Sequence, residues 1–419
     1  MKYIINGGRR LTGEIQVSGN KNAVFPCVAA ALLTDQEIIL ENIPQIKDVD
    51  ILVQILKSLD VSVKYEKNTL TIQADGLRRY ALPADLSVKL RGSIVLVGGL
   101  LGRMKRVSFH HPGGDVIGKR SIETHLEGFE LLGAKVEKDD LNFSINFPEK
   151  LSEEDTNIFL TEASVTATEN LILAAVLGQR TIKLRNCPKE PHVVDLCKLL
   201  VQMGASMEGI GTDTLTIKAV ERLNGTRFKV GVDPIEIGTY AIAAAVTGGN
   251  IKINGIDDTD LDPIYCVLEK LGVSIEKTDD AVLCWGGNLK AIGKIQTNIW
   301  PGFPTDLMSV AIVLATQCKG ITLCHDWMYE SRMFFVDKLI AMGASITLAD
   351  PHRALIYGPS SLKPRELETP DIRAGMGLVL AALIAKGESV INRAELIERG
   401  YEDVVGKLRS LGADIERRE

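Results

Sequence analysis

Two kinds of apolar pattern alternate along this chain, and the alternation repeats about every 70 residues. Near the C-terminus Val404, Leu408 and Leu411 recur at i, i+4 and i+7, the stripe of a helix buried on one face, and Gly412 supplies a left-handed terminator. Ile122, Leu126 and Phe129 draw the same stripe ahead of Gly133. The turn out of this helix is written again and again: Leu59-Asp60-Val61, Leu132-Gly133-Ala134, Met203-Gly204-Ala205, Leu271-Gly272-Val273, Met342-Gly343-Ala344 and Leu411-Gly412-Ala413. One supersecondary unit is therefore predicted six times.

The second pattern is apolar nearly all round, over 23–33, 94–101, 171–177, 240–246, 310–315 and 378–385. A helix with no polar face belongs in an interior. Most of these runs reach a glycine (Gly102, Gly178, Gly248, Gly320, Gly387), read as the helix end, before a β-rich stretch such as Ile321-Thr322-Leu323. Each unit thus reads as buried helix, strand, amphipathic helix and strand pair. Six such units exceed what one hydrophobic centre organises, so two domains of three units are expected, each with its helices inside and its sheets outside. The expected division is 22–230 against 1–21 plus 231–419, with crossovers near Lys21 and Gly231 forming a double-crossover hinge.

Composition narrows the function classes. Over 419 residues, 45% hydrophobic and 24% charged content is that of an ordinary globular protein. Without an apolar run of about 18 residues or a basic-then-apolar leader, a cytoplasmic location and no membrane partner are expected. A net charge of -6 with no Lys/Arg run argues against nucleic acid. Seven cysteines with no C-x-x-C pair give neither a zinc site nor a disulfide framework, and most read as small buried apolar residues.

Candidate chemistry gathers at the starts of the buried helices, where the chain reads Lys21-Asn22, Arg91-Gly92-Ser93, Ser164-Val165-Thr166, Glu236-Ile237-Gly238-Thr239, Thr305-Asp306 and Arg373-Ala374-Gly375. Unpaired N–H groups and the positive dipole end attract anions there. Ordinary capping competes with that reading: Thr166 with Glu169 has capping-box spacing, and Thr305 is a good N-cap residue. Lys21, Arg91 and Arg373 fit capping less well, since a cation opposes the dipole unless an anion accompanies it. The stretch 110–120, HHPGGDVIGKR, carries Asp115, Lys119 and Arg120 on a glycine-rich loop that suits a lid, although composition alone favours a surface turn.

With those residues in hand, the chain resembles the enolpyruvyl transferases, the family that includes 5-enolpyruvylshikimate-3-phosphate synthase. NGGRRLTGEIQVSGNKNA, PGGDVIGKR, SVTATEN, PGFPTD, YESRMFFVDKL, DIRAG and ERGYEDVVGKLRSLGADIER carry the likeness over nearly the whole length and favour the sugar-nucleotide branch. The resemblance implies two inside-out α/β domains of three βαβαββ units, in agreement with the repeat count. It implies transfer of enolpyruvyl from phosphoenolpyruvate to the 3-hydroxyl of UDP-N-acetylglucosamine by addition and elimination, an early step in peptidoglycan synthesis, with no metal and no organic cofactor. It places Asp306 as the base for the hydroxyl, and Lys21, Arg120 and Arg399 around phosphoenolpyruvate. Asn22, Arg91, Arg332, Asp371 and Arg373 match further cleft positions, and Ser164 and Val165 the diphosphate and uridine side. Met328 lies near the uridine region, where a core methionine is an equal reading.

The departures are specific. Asp115 stands where most members carry a lid cysteine, and a protonated carboxyl can serve as the acid for carbon as a thiol can. Ser121, Glu123, Thr166 and Pro234 replace the usual residues near the nucleotide. They bear on the acceptor more than on the chemistry, which leaves open another nucleotide acceptor, shikimate 3-phosphate, or a relative that only binds sugar nucleotide. For assembly the expectation is a monomer.

Overall fold

Uniformly apolar sequence becomes uniformly buried helix. In the computed structural model, which describes residues 1–114, 117–149 and 154–419, helix Ile372–Ile384 buries every residue from Ile372 to Leu383, and helix Pro234–Thr247 every residue from Pro234 to Ala245. Each large apolar side chain so buried contributes about 1.5–3 kcal/mol. Four further helices complete the set: Lys21–Ala31, Leu96–Met104 behind a 3-10 turn at Arg91–Val95, Val165–Ala175, and Met308–Gln317 behind a shorter turn at Thr305–Leu307.

Contacts divide the chain into two units, residues 19–231 without 115–119, and residues 1–18, 117–119 and 232–419. Lys21, which the sequence reading groups with the C-terminal residues, lies in the 19–231 unit. Residues 117–119, read as part of the 22–230 domain, group with the other unit. The reason is local: Ser331 N–H donates to Ile117 O at 3.0 Å, and Lys119 N–H donates to Glu330 Oε1 at 2.6 Å.

In the 19–231 unit the buried helices meet closely because glycine lines the contact. A Cβ on Gly99 would stand 2.5 Å from Ala29 O, and one on Gly102 2.6 Å from Leu173 O. Gly102 therefore does not end its helix. The segment runs on to Met104, and Lys105, at φ 60°, takes the left-handed cap.

Around these helices lie small sheets, one per repeat. Four-stranded examples pair Thr226–Lys229 parallel to Ile38–Glu41, and Thr12–Gln16 parallel to Asn250–Asn254. The strand that leads into helix Lys21–Ala31 thus joins the sheet of helix Pro234–Thr247, while the strand that leads into Pro234–Thr247 joins the sheet of Lys21–Ala31. This exchange sets the unit boundaries at 18/19 and 231/232. The sixth repeat closes with the N-terminus: Lys2–Gly7 lies antiparallel between Gly387–Asn392 and Asp414–Arg418. All six turns after the amphipathic helices hold positive φ, at Asp60, Gly133, Gly204, Gly272, Gly343 and Gly412.

Candidate active site

Several cations at helix starts already have partners inside their own unit. Asn20 caps helix Lys21–Ala31, its side chain accepting from Asn22 N at 3.0 Å. The Lys21 ammonium, nearly buried, pairs with Asp48 Oδ2 at 2.8 Å. Arg91 spends its guanidinium on carbonyls, donating to Pro112 O at 3.2 Å, Arg120 O at 2.5 Å and Ser121 O at 3.3 Å. Both cations therefore have partners within the chain. Arg91 ties the PGG loop to the Arg120-Ser121 segment, and Ser121 Oγ accepts from Glu123 N at 3.1 Å as helix Glu123–Leu131 begins.

Capping at the SVTATEN stretch also differs from the spacing argument. Ser164 is the N-cap, its hydroxyl accepting from Ala167 N, and Val165 opens the helix. Thr166 lies inside the first turn and Glu169 is buried, so the Thr166–Glu169 capping box does not form. Thr166 Oγ1 meets His125 Nε2 at 3.0 Å. The proton on that nitrogen follows from the neighbours. Gly98 N–H donates to Asn170 Oδ1 at 2.6 Å, and Asn170 Nδ2 donates to Ile94 O at 2.9 Å, which fixes the amide orientation. Asn170 Nδ2 also meets His125 Nδ1 at 2.8 Å, so Nδ1 accepts and Nε2–H donates to Thr166. Burial, with Arg91 adding to it, pushes the His125 pKa down to about 3 and keeps the ring neutral.

The 232–419 unit holds a denser cluster. Asp306, in the 3-10 turn Thr305–Leu307, receives Arg332 Nη2 on Oδ1 at 3.0 Å and both Nε and Nη2 of Arg373 on Oδ2 at 2.9 Å. Thr305 is no side-chain cap; its hydroxyl donates to Asp326 Oδ2 at 2.5 Å. Asp371 caps helix Ile372–Ile384 through Arg373 N and Ala374 N, and stands 4.0 Å from Arg332 Nη1. Burial alone would lower the Arg332 pKa, but Asp306, Asp371 and Asp326 outweigh it and hold the group above its usual range. For Arg373 burial is likewise outweighed by Asp306 first, and the guanidinium lies over the Tyr401 ring at 5.0 Å. Arg332 Nε and Arg373 Nη1 are buried donors without an acceptor among the described residues. Met328 N–H donates to Asp326 Oδ1 at 3.0 Å, and Arg399 ends the 3-10 helix Ala394–Arg399.

Asp115 lies outside the described residues. His125, which the sequence leaves between facing a cleft and packing, is buried in helix Glu123–Leu131. Asp48, Asp326, Asn170 and Tyr401 escaped sequence reasoning. Each is one polar residue in an apolar or loop stretch, and only the folded chain brings its partner near. Among the described residues no group of three His, Cys, Asp or Glu is placed to hold a metal, and no helix is long and apolar enough to cross a membrane.

A triply paired carboxylate among buried arginines, on a fold of six repeats in two units, defines a class. The profile of EPSP synthase (3-phosphoshikimate 1-carboxyvinyltransferase) matches residues 5–408, and the chain belongs to that family of enolpyruvyl transferases. It is similar to the UDP-N-acetylglucosamine 1-carboxyvinyltransferase of Treponema denticola, at 48% identity covering 100% of this chain and 99% of the relative. Proteins of that same name from Bradyrhizobium diazoefficiens and Borreliella burgdorferi are 46% and 45% identical, each covered to 98%. Among solved structures, the enolpyruvyl transferase NikO from Streptomyces tendae superposes with a TM-score of 0.87 at 24% identity, covering 99% of this chain and 98% of that one. EPSP synthase from Acinetobacter baumannii gives 0.77 at 19%, covering both chains fully. These two likenesses are of fold, the two-unit inside-out α/β architecture.

Proposed function

We propose that this chain transfers the enolpyruvyl group of phosphoenolpyruvate to the 3-hydroxyl of UDP-N-acetylglucosamine with release of phosphate, the step that commits the sugar nucleotide to peptidoglycan. Full-length identity of 48% to a relative of that name carries the reading. Asp306 takes the proton of the acceptor hydroxyl as oxygen attacks C2. Asp115 supplies the proton to C3, and the resulting phospho-ketal loses a methyl proton and phosphate to leave the enol ether. Lys21, Arg120 and Arg399 hold the phosphate and carboxylate of phosphoenolpyruvate, where fixed cations stabilise the charge that develops. Asn22, Arg332, Asp371 and Arg373 orient the reacting groups. Arg91, Ser121, Glu123, Ser164, Val165, Thr166 and Met328 serve the nucleotide. The enzyme acts as a cytoplasmic monomer.

Support for Asp306 as base comes from its position as common acceptor for two arginines with unspent donors. Phosphate release measured with UDP-N-acetylglucosamine, beside UMP, UDP-N-acetylgalactosamine and shikimate 3-phosphate, tests the assignment. Turnover confined to UDP-N-acetylglucosamine is expected, and turnover only with another acceptor would reassign it. Because residue 115 is Asp, fosfomycin should leave activity intact and add no mass to the chain; a covalent adduct would overturn the role given to Asp115.

A further inference from the structure

Asp306 does not hold Arg332 alone, and a contest for one oxygen decides how firmly it does. Asp326, fully buried, fixes both segments that carry the pair. Its Oδ1 accepts from Met328 N at 3.0 Å and Tyr329 N at 3.3 Å, shaping the turn that delivers Arg332. Its Oδ2 accepts the Thr305 hydroxyl at 2.5 Å, next to Asp306 in the chain. Arg332 Nε lies 4.0 Å from that same Oδ2 and has no acceptor among the described residues. The Thr305 hydroxyl thus donates to the same oxygen that lies nearest Arg332 Nε, while Arg332 reaches Asp306 through Nη2.

We propose that Thr305 and Asp326 are positioning residues that set how strongly Arg332 neutralises Asp306, and so set the basicity of the carboxylate. The inference rests on the reading of Asp306 as general base. Other charged groups face the pair. Arg373 and Asp371 do so from the start of helix Ile372–Ile384, with Tyr401 and Asp233 acting on Arg373. Tyr329 underlies Arg332 at 5.5 Å, and His352 Nδ1 meets Asp326 O at 2.7 Å. All of these are unchanged by substitution at 305 or 326, so two variants isolate the contest.

Asp326→Asn keeps the shape and removes a negative charge that competes for Arg332. Asp306 should then be held more firmly in its charged form, and the acidic limb of the kcat profile should move down by about half a pH unit or more. Thr305→Val vacates Oδ2 without changing charge. Arg332 should swing toward Asp326, and the limb should move up by a similar amount. Opposite shifts are the expected result, with melting temperatures recorded alongside. If either variant folds and loses rate with the limb unmoved, or both move it the same way, the proposal is overturned, and Thr305→Val alone suffices if Asp326→Asn does not fold. Asp306→Asn separates the layers: an acidic limb that survives in it means the base reading itself has failed.

Discussion

The two units share one repeat and differ in how they handle charge at equivalent helix starts. In the 232–419 unit, charges meet charges: Asp306 lies between two buried guanidiniums, and Asp371 and Asp326 crowd the same arginine. In the 19–231 unit most of the polar work is done by neutral groups. Arg91 binds carbonyls, and Thr166, His125 and Asn170 form a chain of neutral hydrogen bonds, with Lys21–Asp48 the buried ion pair beside them. A buried charge network is suited to moving a proton and stabilising a developing charge. A neutral network is suited to holding a ligand in one orientation. On the proposed roles, the charged helix starts of the 232–419 unit would carry the base, and the neutral network of the 19–231 unit would orient the nucleotide beside the phosphoenolpyruvate cations Lys21 and Arg120.

The sharpest way to break this comparison is Asp306→Asn. Loss of the base should lower kcat by roughly 10²- to 10⁴-fold in the folded variant, with a fall in melting temperature from the uncompensated Arg332 and Arg373 recorded separately. A variant that keeps its rate would move the chemistry out of the 232–419 cluster. Next in size is an acid effect confined to the other unit. His125 has a folded pKa of about 3 against an ordinary 6.5, so between those values the unfolded chain binds a proton that the folded chain does not. Its contribution to stability is present above about pH 6.5 and is lost as pH falls toward 3, at about 1.4 kcal/mol per unit. Urea midpoints at pH 7, 5 and 4 should therefore fall more steeply for the wild type than for His125→Gln. Parallel slopes would mean that the ring is not held neutral.

Smaller effects sharpen the recognition side. Arg91→Lys keeps the charge but loses the fork that reaches three carbonyls, and should raise KM for the sugar nucleotide about tenfold with kcat changed less. Thr166→Val, which deletes only the hydroxyl that His125 orients, should raise the same KM a few-fold, about 1 kcal/mol, and Thr166→Ser should restore it. Equal losses of kcat in both variants would place these residues with the chemistry.

Periodicity carried the fold because every repeat obeys it: the buried helices have no polar face, and all six turn positions hold positive φ. It misjudged single residues where tertiary contact outranks local preference. Gly102 looks like a terminator but is small so that Leu173 can approach, and the capping-box spacing of Thr166 and Glu169 is overridden by Ser164 two residues earlier. Asp306, Arg332 and Arg373 stand in motifs legible from sequence, 26 and 67 positions from Asp306. Asp326 has no such mark, because its meaning lies in the two segments it joins.

One measurement tests enolpyruvyl transfer through a protonated intermediate most directly: mass spectrometry of the product formed from phosphoenolpyruvate and UDP-N-acetylglucosamine in deuterated water. The expected result is a sugar nucleotide that has gained one enolpyruvyl group with deuterium in its vinyl methylene, formed at least about a hundredfold more slowly by Asp306→Asn. A sugar nucleotide that gains the group without deuterium would contradict addition and elimination, and an unaltered sugar nucleotide would contradict the transfer itself.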